Sequence, residues 1–319
     1  MNTERTAKVV ASGVAHLRAH SPSEAPAAVK AEKVRLKRKM RMEEALQCMG
    51  LNCMAQIEAN VPGVLAQHTE SLHQMRVGLR RLRALLGMFD DSAPLPAELR
   101  EGLDWLSGEL GETRDWDVLA DTTLAGMQGI NTEPLRAAAA ERARNLHRDM
   151  LPAMHSPRFT ELMQQLDGWL HGCGWRPDGP LPKDHLLAQR AGDGMVPLLR
   201  KAQRRLRKRI AALDENDAPA RHRVRIAAKK ARYAAEFFAD LLPAKKQQRY
   251  VKRLSALQDR LGHLNDLAVA GKLLPVLENS GHAHDAAFAR GWVAGASSAQ
   301  SHGLRDALDS IARLKPVRR

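Results

Sequence analysis

The chain has 319 residues, 44% of them apolar, enough for one large domain or two medium ones with buried cores. Fifty Lys and Arg against 36 Asp and Glu leave a formal charge of +14, which calls for an acidic partner: polyphosphate, nucleic acid or an anionic membrane surface. The cysteines, Cys48, Cys53 and Cys173, are odd in number and lack C-x-x-C spacing, which excludes a disulfide framework and a paired-cysteine zinc site.

Alanine and leucine abound and β-branched residues are sparse, so propensity predicts an all-α protein. Residues 1–28, ending in HSPSEAPAA, read as a mobile lead-in. From Val29, periodicity predicts helices over about 29–59, 67–90, 95–110, 115–128, 132–150 and 156–171, with Pro62-Gly63, Pro94 and Pro96 as breakers. These form a first half over 29–171. Glycine and proline then crowd residues 172–183, the expected linker. A second half over 184–315 follows, with helices expected at about 184–213, 218–242, 243–261, 264–279 and 283–314 and a fraying RLKPVRR tail. Between Lys183 and Arg260 stand 21 Lys or Arg against 8 Asp or Glu, a surplus of 13, so nearly all the excess charge is local to that quarter of the chain. No apolar run approaches the roughly 20 residues that span a bilayer, and the N-terminus has no apolar leader core, so a soluble cytoplasmic protein is expected.

The chain repeats itself. HQMRVGLRRLRALLGMF from His73 is answered by HRVRIAAKKARYAAEFF from His222, with basic residues at offsets of three, seven, eight and ten from the histidine and phenylalanine at sixteen. Downstream, LGETRDWDVL from Leu110 is answered by LGHLNDLAVA from Leu261, so that Asp115 corresponds to Asp266. A duplicated helical unit is the simplest account: two antiparallel bundles related by an approximate twofold axis.

At 100° per residue, His73, Arg76, Arg80 and Arg83 share an arc of roughly 80°, while Leu72, Met75, Leu79, Leu82, Leu86 and Phe89 fill an apolar arc of about 100°. His222, Arg225, Lys229 and Arg232 repeat the arrangement beside Val224, Ala228, Ala231, Ala235 and Phe238. Each basic stripe is a ladder of about 15 Å, suited either to an extended anion or to ion pairs with a neighbouring helix. Within the motif helices only Glu236, four residues after Arg232, offers local neutralisation. Each histidine reads equally as a phosphate donor or as a packing residue that orients its arginines. In KAQRRLRKRI, Lys201, Arg204, Arg205 and Lys208 fall on one side of a helix, a further anion face or a solvated surface. Arginine forks match phosphate oxygens and lysine adds a mobile point charge, so mixed ladders suit repeated phosphates.

These residues, His73 with Arg76, Arg80, Arg81 and Arg83, LGETRDWDVL, and His222, Arg225, Lys229, Lys230 and Arg232 with LGHLNDL, resemble the CHAD domain, the conserved histidine α-helical domain, over about residues 30–315. The resemblance implies paired antiparallel bundles with pseudo-twofold symmetry and a basic surface that binds inorganic polyphosphate without catalysis, in some members on polyphosphate granules. Carried across, the contacts are His73, Arg76, Arg80, Arg83, His222, Arg225, Lys229 and Arg232, with Arg114 in addition. The second copy has Asn265 in the place of Arg114, so unequal halves are expected. Some relatives carry a fused triphosphate-hydrolysing domain; the strand-rich acidic segment it would need is missing from this sequence, so the resemblance does not imply that activity.

Neither G-x-x-x-x-G-K-[ST] nor H-E-x-x-H occurs, and HAHD at His282–Asp285 reads as a cap more readily than as metal ligands, so no enzyme, cofactor or metal is expected. Nucleic-acid backbone binding is the main alternative and phosphohydrolysis a lesser one. Against single-strand stacking, the chain has twelve Phe, Trp and Tyr, of which Phe89 and Phe238 fall in the apolar stripes. The basic helices lack a large apolar face to bury in lipid, so no membrane partner is expected.

Overall fold

The computed structural model describes residues 27–128, 131–176, 180–215 and 217–315. Most of the expected lead-in, residues 177–179 of the expected linker and the end of the tail lie outside the described residues. Every regular element among the described residues is helical, and one isolated antiparallel bridge, Arg41 with Arg190, stands outside the helices. The chain therefore folds as an all-α protein.

The α-helices are α1 (Met42–Leu65), α2 (Thr69–Phe89), α3 (Ala97–Glu109), α4 (Gly111–Val118), α5 (Glu133–His155) and α6 (Pro157–His171), then α7 (Ala191–Ala211), α8 (Ala218–Phe237), α9 (Ala244–Leu277), α10 (Ala283–Ser301) and α11 (Leu304–Ala312). They divide between two compact units, each discontinuous in the chain. Unit 1 takes Met1–Lys33, Gln47–Arg114 and Arg144–Pro180; unit 2 takes Val34–Leu46, Asp115–Ala143 and Leu181–Arg319.

In unit 1 the apolar arc of α2 is the packing face: Leu72, Met75, Leu79, Leu82, Leu85 and Phe89 are buried. The α1–α2 contact is close enough to require glycine, since a Cβ at Gly78 would lie 2.8 Å from Ile57 Cγ1. Helix α3 packs on α2 and on α6. Helix α6 starts as its sequence dictates, with Pro157 in the first turn and the Ser156 hydroxyl accepting from the Phe159 amide at 3.2 Å.

Unit 2 is organised around α9, which packs against α8, α10, α11 and the wide π-turn Leu119–Leu124; α7 packs on α8 and α11. Two helices were expected here, and one of 34 residues is found. Its leucines explain the difference, because Leu254, Leu257, Leu261, Leu264 and Leu267 keep helical spacing through Gly262 and are all buried. The roughly 1 kcal/mol that an interior glycine costs is smaller than the burial of that stripe.

The boundaries differ elsewhere for local reasons. Residues 29–41 are not helical. Their backbone finds other partners: Val29 exchanges two hydrogen bonds with the Asn60 side chain, and the Glu32 carbonyl accepts from Asn52 Nδ2. Within unit 2, Met42 N donates to Gln189 O at 2.8 Å and Ala191 N to Met40 O at 2.8 Å. Helix α1 then starts at Met42 with Glu43 and Glu44 in its first turn, where the Glu44 carboxylate accepts from Arg41 N. The helix expected at 115–128 begins at Gly111 and widens into the π-turn after Val118. The one expected at 283–314 breaks at Gly303, whose φ of 68° is left-handed. Arg260 covers the exposed carbonyls at that break, donating to Gly303 O at 3.0 Å and Gln300 O at 3.3 Å as well as to His302 O.

Candidate anion-binding site

In unit 1, α2 presents His73, Arg76 and Arg80, all half-buried. Arg114, near the start of α4, completes a cluster around His73. Burial first, then the charges of Arg114, Arg80 and Arg76, hold the His73 imidazole below its usual basicity, against an opposing pull from Glu70. Arg76 Nη1 donates to the Leu110 carbonyl, closing the C-terminal end of α3 and tying the ladder to the second motif. The Nε atoms of both Arg76 and Arg80 are buried without an acceptor among the described residues. Arg83, at the exposed end, is ion-paired with Asp104 of α3. Arg81, at the position next to the ladder, is turned to α1, where it donates to Gln56 Oε1 and Asn52 Oδ1 at 2.8 Å each.

In unit 2, α8 presents the second ladder. His222 is exposed, and its Nδ1 lies 3.2 Å from Asn265 Oδ1 of α9. The Asp266 carboxyl is pushed above the ordinary carboxylate range by burial; a hydrogen bond from Asn265 and the charges of Arg225, His263 and Lys229 pull it back. Arg232 donates to Glu236 at 2.7 Å and Gln258 at 2.9 Å and lies 4.7 Å from the Tyr233 ring centre. Asp115 and Asp266, corresponding residues of the two LG motifs, line one small recess with Val118, Leu119, Val269 and Ala270.

The face of α7 has the expected composition. Arg204, Arg205 and Lys208 are exposed and their side chains have no partner among the described residues, Lys201 is half-buried, and Gln203, Leu206 and Ile210 turn inward. No group of three or more His, Cys, Asp or Glu that could hold a metal ion occurs among the described residues. No helix there is long and apolar enough to cross a membrane.

The structure thus gathers His73, Arg76, Arg80 and Arg114 in one unit, and His222, Arg225 and Lys229 in the other. It gives Arg83 and Arg232 carboxylate partners. Sequence reasoning anticipated Glu236, which is four residues from Arg232, and missed Asp104 and Asp266, which come from other helices. Their signal was the acid of the repeated LG motif and the helical hairpins themselves.

A repeated cationic helix followed by an LG-x-x-x-D motif defines an α-helical histidine-and-arginine domain, and the sequence profile of the CHAD domain matches residues 49–275. The chain belongs to the CHAD domain family. It is similar to the CHAD domain from the plant Ricinus communis, with a TM-score of 0.82 and 35% identity over 92% of this chain and 99% of that one. PptA from Streptomyces chartreusis shares the fold at a TM-score of 0.61 and 17% identity, covering 86% of this chain and 100% of that one. No curated protein matches the chain.

Proposed function

We propose that this protein binds inorganic polyphosphate without catalysing a reaction on it, through the ladders of α2 and α8 with the exposed face of α7, and that it accompanies polyphosphate granules in the cytoplasm. One observation carries the reading: two helices repeat the same His/Arg/Lys register, and Arg80 of α2 has no carboxylate partner among the described residues. A half-buried guanidinium with no carboxylate partner favours an oxygen-rich anion arriving from solvent. Four cationic positions over about 15 Å fit several phosphates in a row and exceed what a single small anion needs.

A titration with polyphosphates of defined length at two salt concentrations tests this reading, with duplex DNA and RNA as competitors. Long polyphosphate is expected to displace nucleic acid, and displacement in the other direction would overturn the ranking. Incubation with polyphosphate and divalent metal is expected to release no phosphate. A fluorescent fusion is expected to coincide with granules, and to disperse when Arg80, Arg225 and Lys229 are replaced by glutamine.

A further inference from the structure

Helix α9 opens with a basic stripe that lies outside both ladders. Lys245, Lys246, Arg249, Lys252 and Arg253 are all exposed, and none of these side chains has a partner among the described residues. At 100° per residue they share an arc of about 120°, extending about 12 Å along the axis. Gln247, Gln258 and Asn265, the α9 residues that reach α8 by hydrogen bonds, sit roughly 160–180° from the centre of that arc. The stripe therefore lies on the face of α9 opposite the one that meets α8. Five unpaired cations on one face repel each other by the same rules that penalise like charges three and four residues apart, so the bare helix is destabilised and an anion relieves it.

We propose that this stripe is a second phosphate-chain contact, separate from the α8 ladder, so that one molecule holds two stretches of polyphosphate at once. The inference rests on the polyphosphate reading above. The chemistry of the face selects its occupant. Tyr250, Leu254 and Leu257 of α9 are buried; of the exposed large apolar residues among those described, Val29, Ile226 and Phe288 lie on other segments and Val276 at the opposite end of α9. The stripe thus has no apolar anchor for a protein partner and no apolar face for a lipid surface. It also carries no aromatic side chain on which a base could stack. Long, unpartnered Lys and Arg side chains on a narrow face suit a flexible chain of phosphates. Joining two such contacts on one molecule makes a long chain bind by avidity and lets the protein bridge separate chains.

The test uses the full chain with five substitutions, Lys245→Gln, Lys246→Gln, Arg249→Gln, Lys252→Gln and Arg253→Gln, beside a ladder variant carrying Arg225→Gln and Lys229→Gln. Circular dichroism establishes that both fold. With polyphosphate too short to reach both faces, sedimentation is expected to show the stripe variant carrying one chain fewer than the unmodified protein, its remaining affinity unchanged. With long polyphosphate, light scattering from bridged assemblies is expected to disappear and affinity to fall about 10- to 100-fold. Unchanged stoichiometry and scattering in the stripe variant overturn this inference and leave the ladder reading standing. Loss of duplex DNA binding with polyphosphate binding intact overturns it too, assigning the stripe to nucleic acid. Failure of the unmodified protein to bind polyphosphate at all removes both.

Discussion

Whether a ladder cation is already occupied inside the protein should decide how much it contributes to binding. The contrast is sharpest in unit 2. Arg232 holds Glu236 at 2.7 Å and Gln258 at 2.9 Å, with the two ion-paired side chains 24% and 33% exposed, whereas Arg204, Arg205 and Lys208 are exposed and have no partner among the described residues. A phosphate reaching Arg232 must break or share an interaction of about 1 kcal/mol, and the carboxylate left behind repels it. A phosphate reaching the α7 face displaces only water and counterions. For flexible to duplex polyanions, each neutralised phosphate contributes about 0.7–0.9 to the slope of log K against log salt. Replacing Arg204, Arg205 and Lys208 with glutamine should therefore lower that slope by about two to three, equivalent to roughly 20- to 60-fold in relative affinity across a fourfold change in salt. Arg232→Gln should lower it by well under one while costing about 1 kcal/mol of stability. Fluorescence anisotropy with labelled polyphosphate at several salt concentrations, paired with urea melts, reads both quantities. The reverse order, a full unit lost at Arg232 and none on α7, would refute the reasoning that internal pairing sets the contribution.

Replacing Arg76 with alanine removes the donor from the Leu110 carbonyl at the end of α3 and is expected to cost about 1–3 kcal/mol in urea melts, beyond any loss of ligand; an unchanged melt would reduce that bond to an accident of geometry. Burial and the neighbouring arginines hold the His73 imidazole below its ordinary value of 6.5, so its contribution to stability is present above that pH and is lost as pH falls from 6.5 through the folded value. A bound phosphate chain reverses the preference, so binding should take up protons in that window; calorimetry in buffers of different ionisation enthalpy should show the uptake reduced in His73→Gln. The Asp266 carboxyl is raised above 3.8, so the folded state loses stability as pH rises from 3.8 through the raised value. Asp266→Asn should flatten that limb and tighten polyphosphate binding a few-fold by freeing Arg225 and Lys229, and weaker binding would show that the carboxylate instead positions them.

The helical class and the two ladders were legible because both rest on periodicity within a single helix: Leu72 to Phe89 and Val224 to Phe238 are buried as their spacing requires. The breaks were less legible. Glycine signals both an interior cost and a terminus, and only tertiary burial separates Gly262, inside α9, from Gly303, which ends α10. The start of α1 was hidden for a related reason. Residues 29–41 have a helix-compatible composition, yet side chains from Asn52 and Asn60, distant in sequence, take their backbone groups. The electrostatic state of the ladders was the least legible, since Asp104 and Asp266 reach the cations from other helices.

The two copies have also diverged in a way that bears on their histidines. His73 stands among arginine charges with Arg114 the largest, whereas His222 meets the Asn265 amide oxygen at 3.2 Å in the corresponding place. An amide oxygen can only accept, so in this contact the His222 Nδ1 is the donor and its ring is oriented by the asparagine. His73, surrounded by cations, pays to become charged. The His73 imidazole is thus a poor phosphate donor while neutral, and it improves once the ligand's negative charge draws a proton onto the ring. The first copy offsets this with the guanidinium of Arg114, and the second, where asparagine replaces that arginine, has the exposed cations of α7 in its own unit. Restoring the missing charge with Asn265→Arg should therefore strengthen binding while breaking the His222 contact. A weaker complex would mean that the asparagine, by orienting His222, does more for the ligand than another cation could.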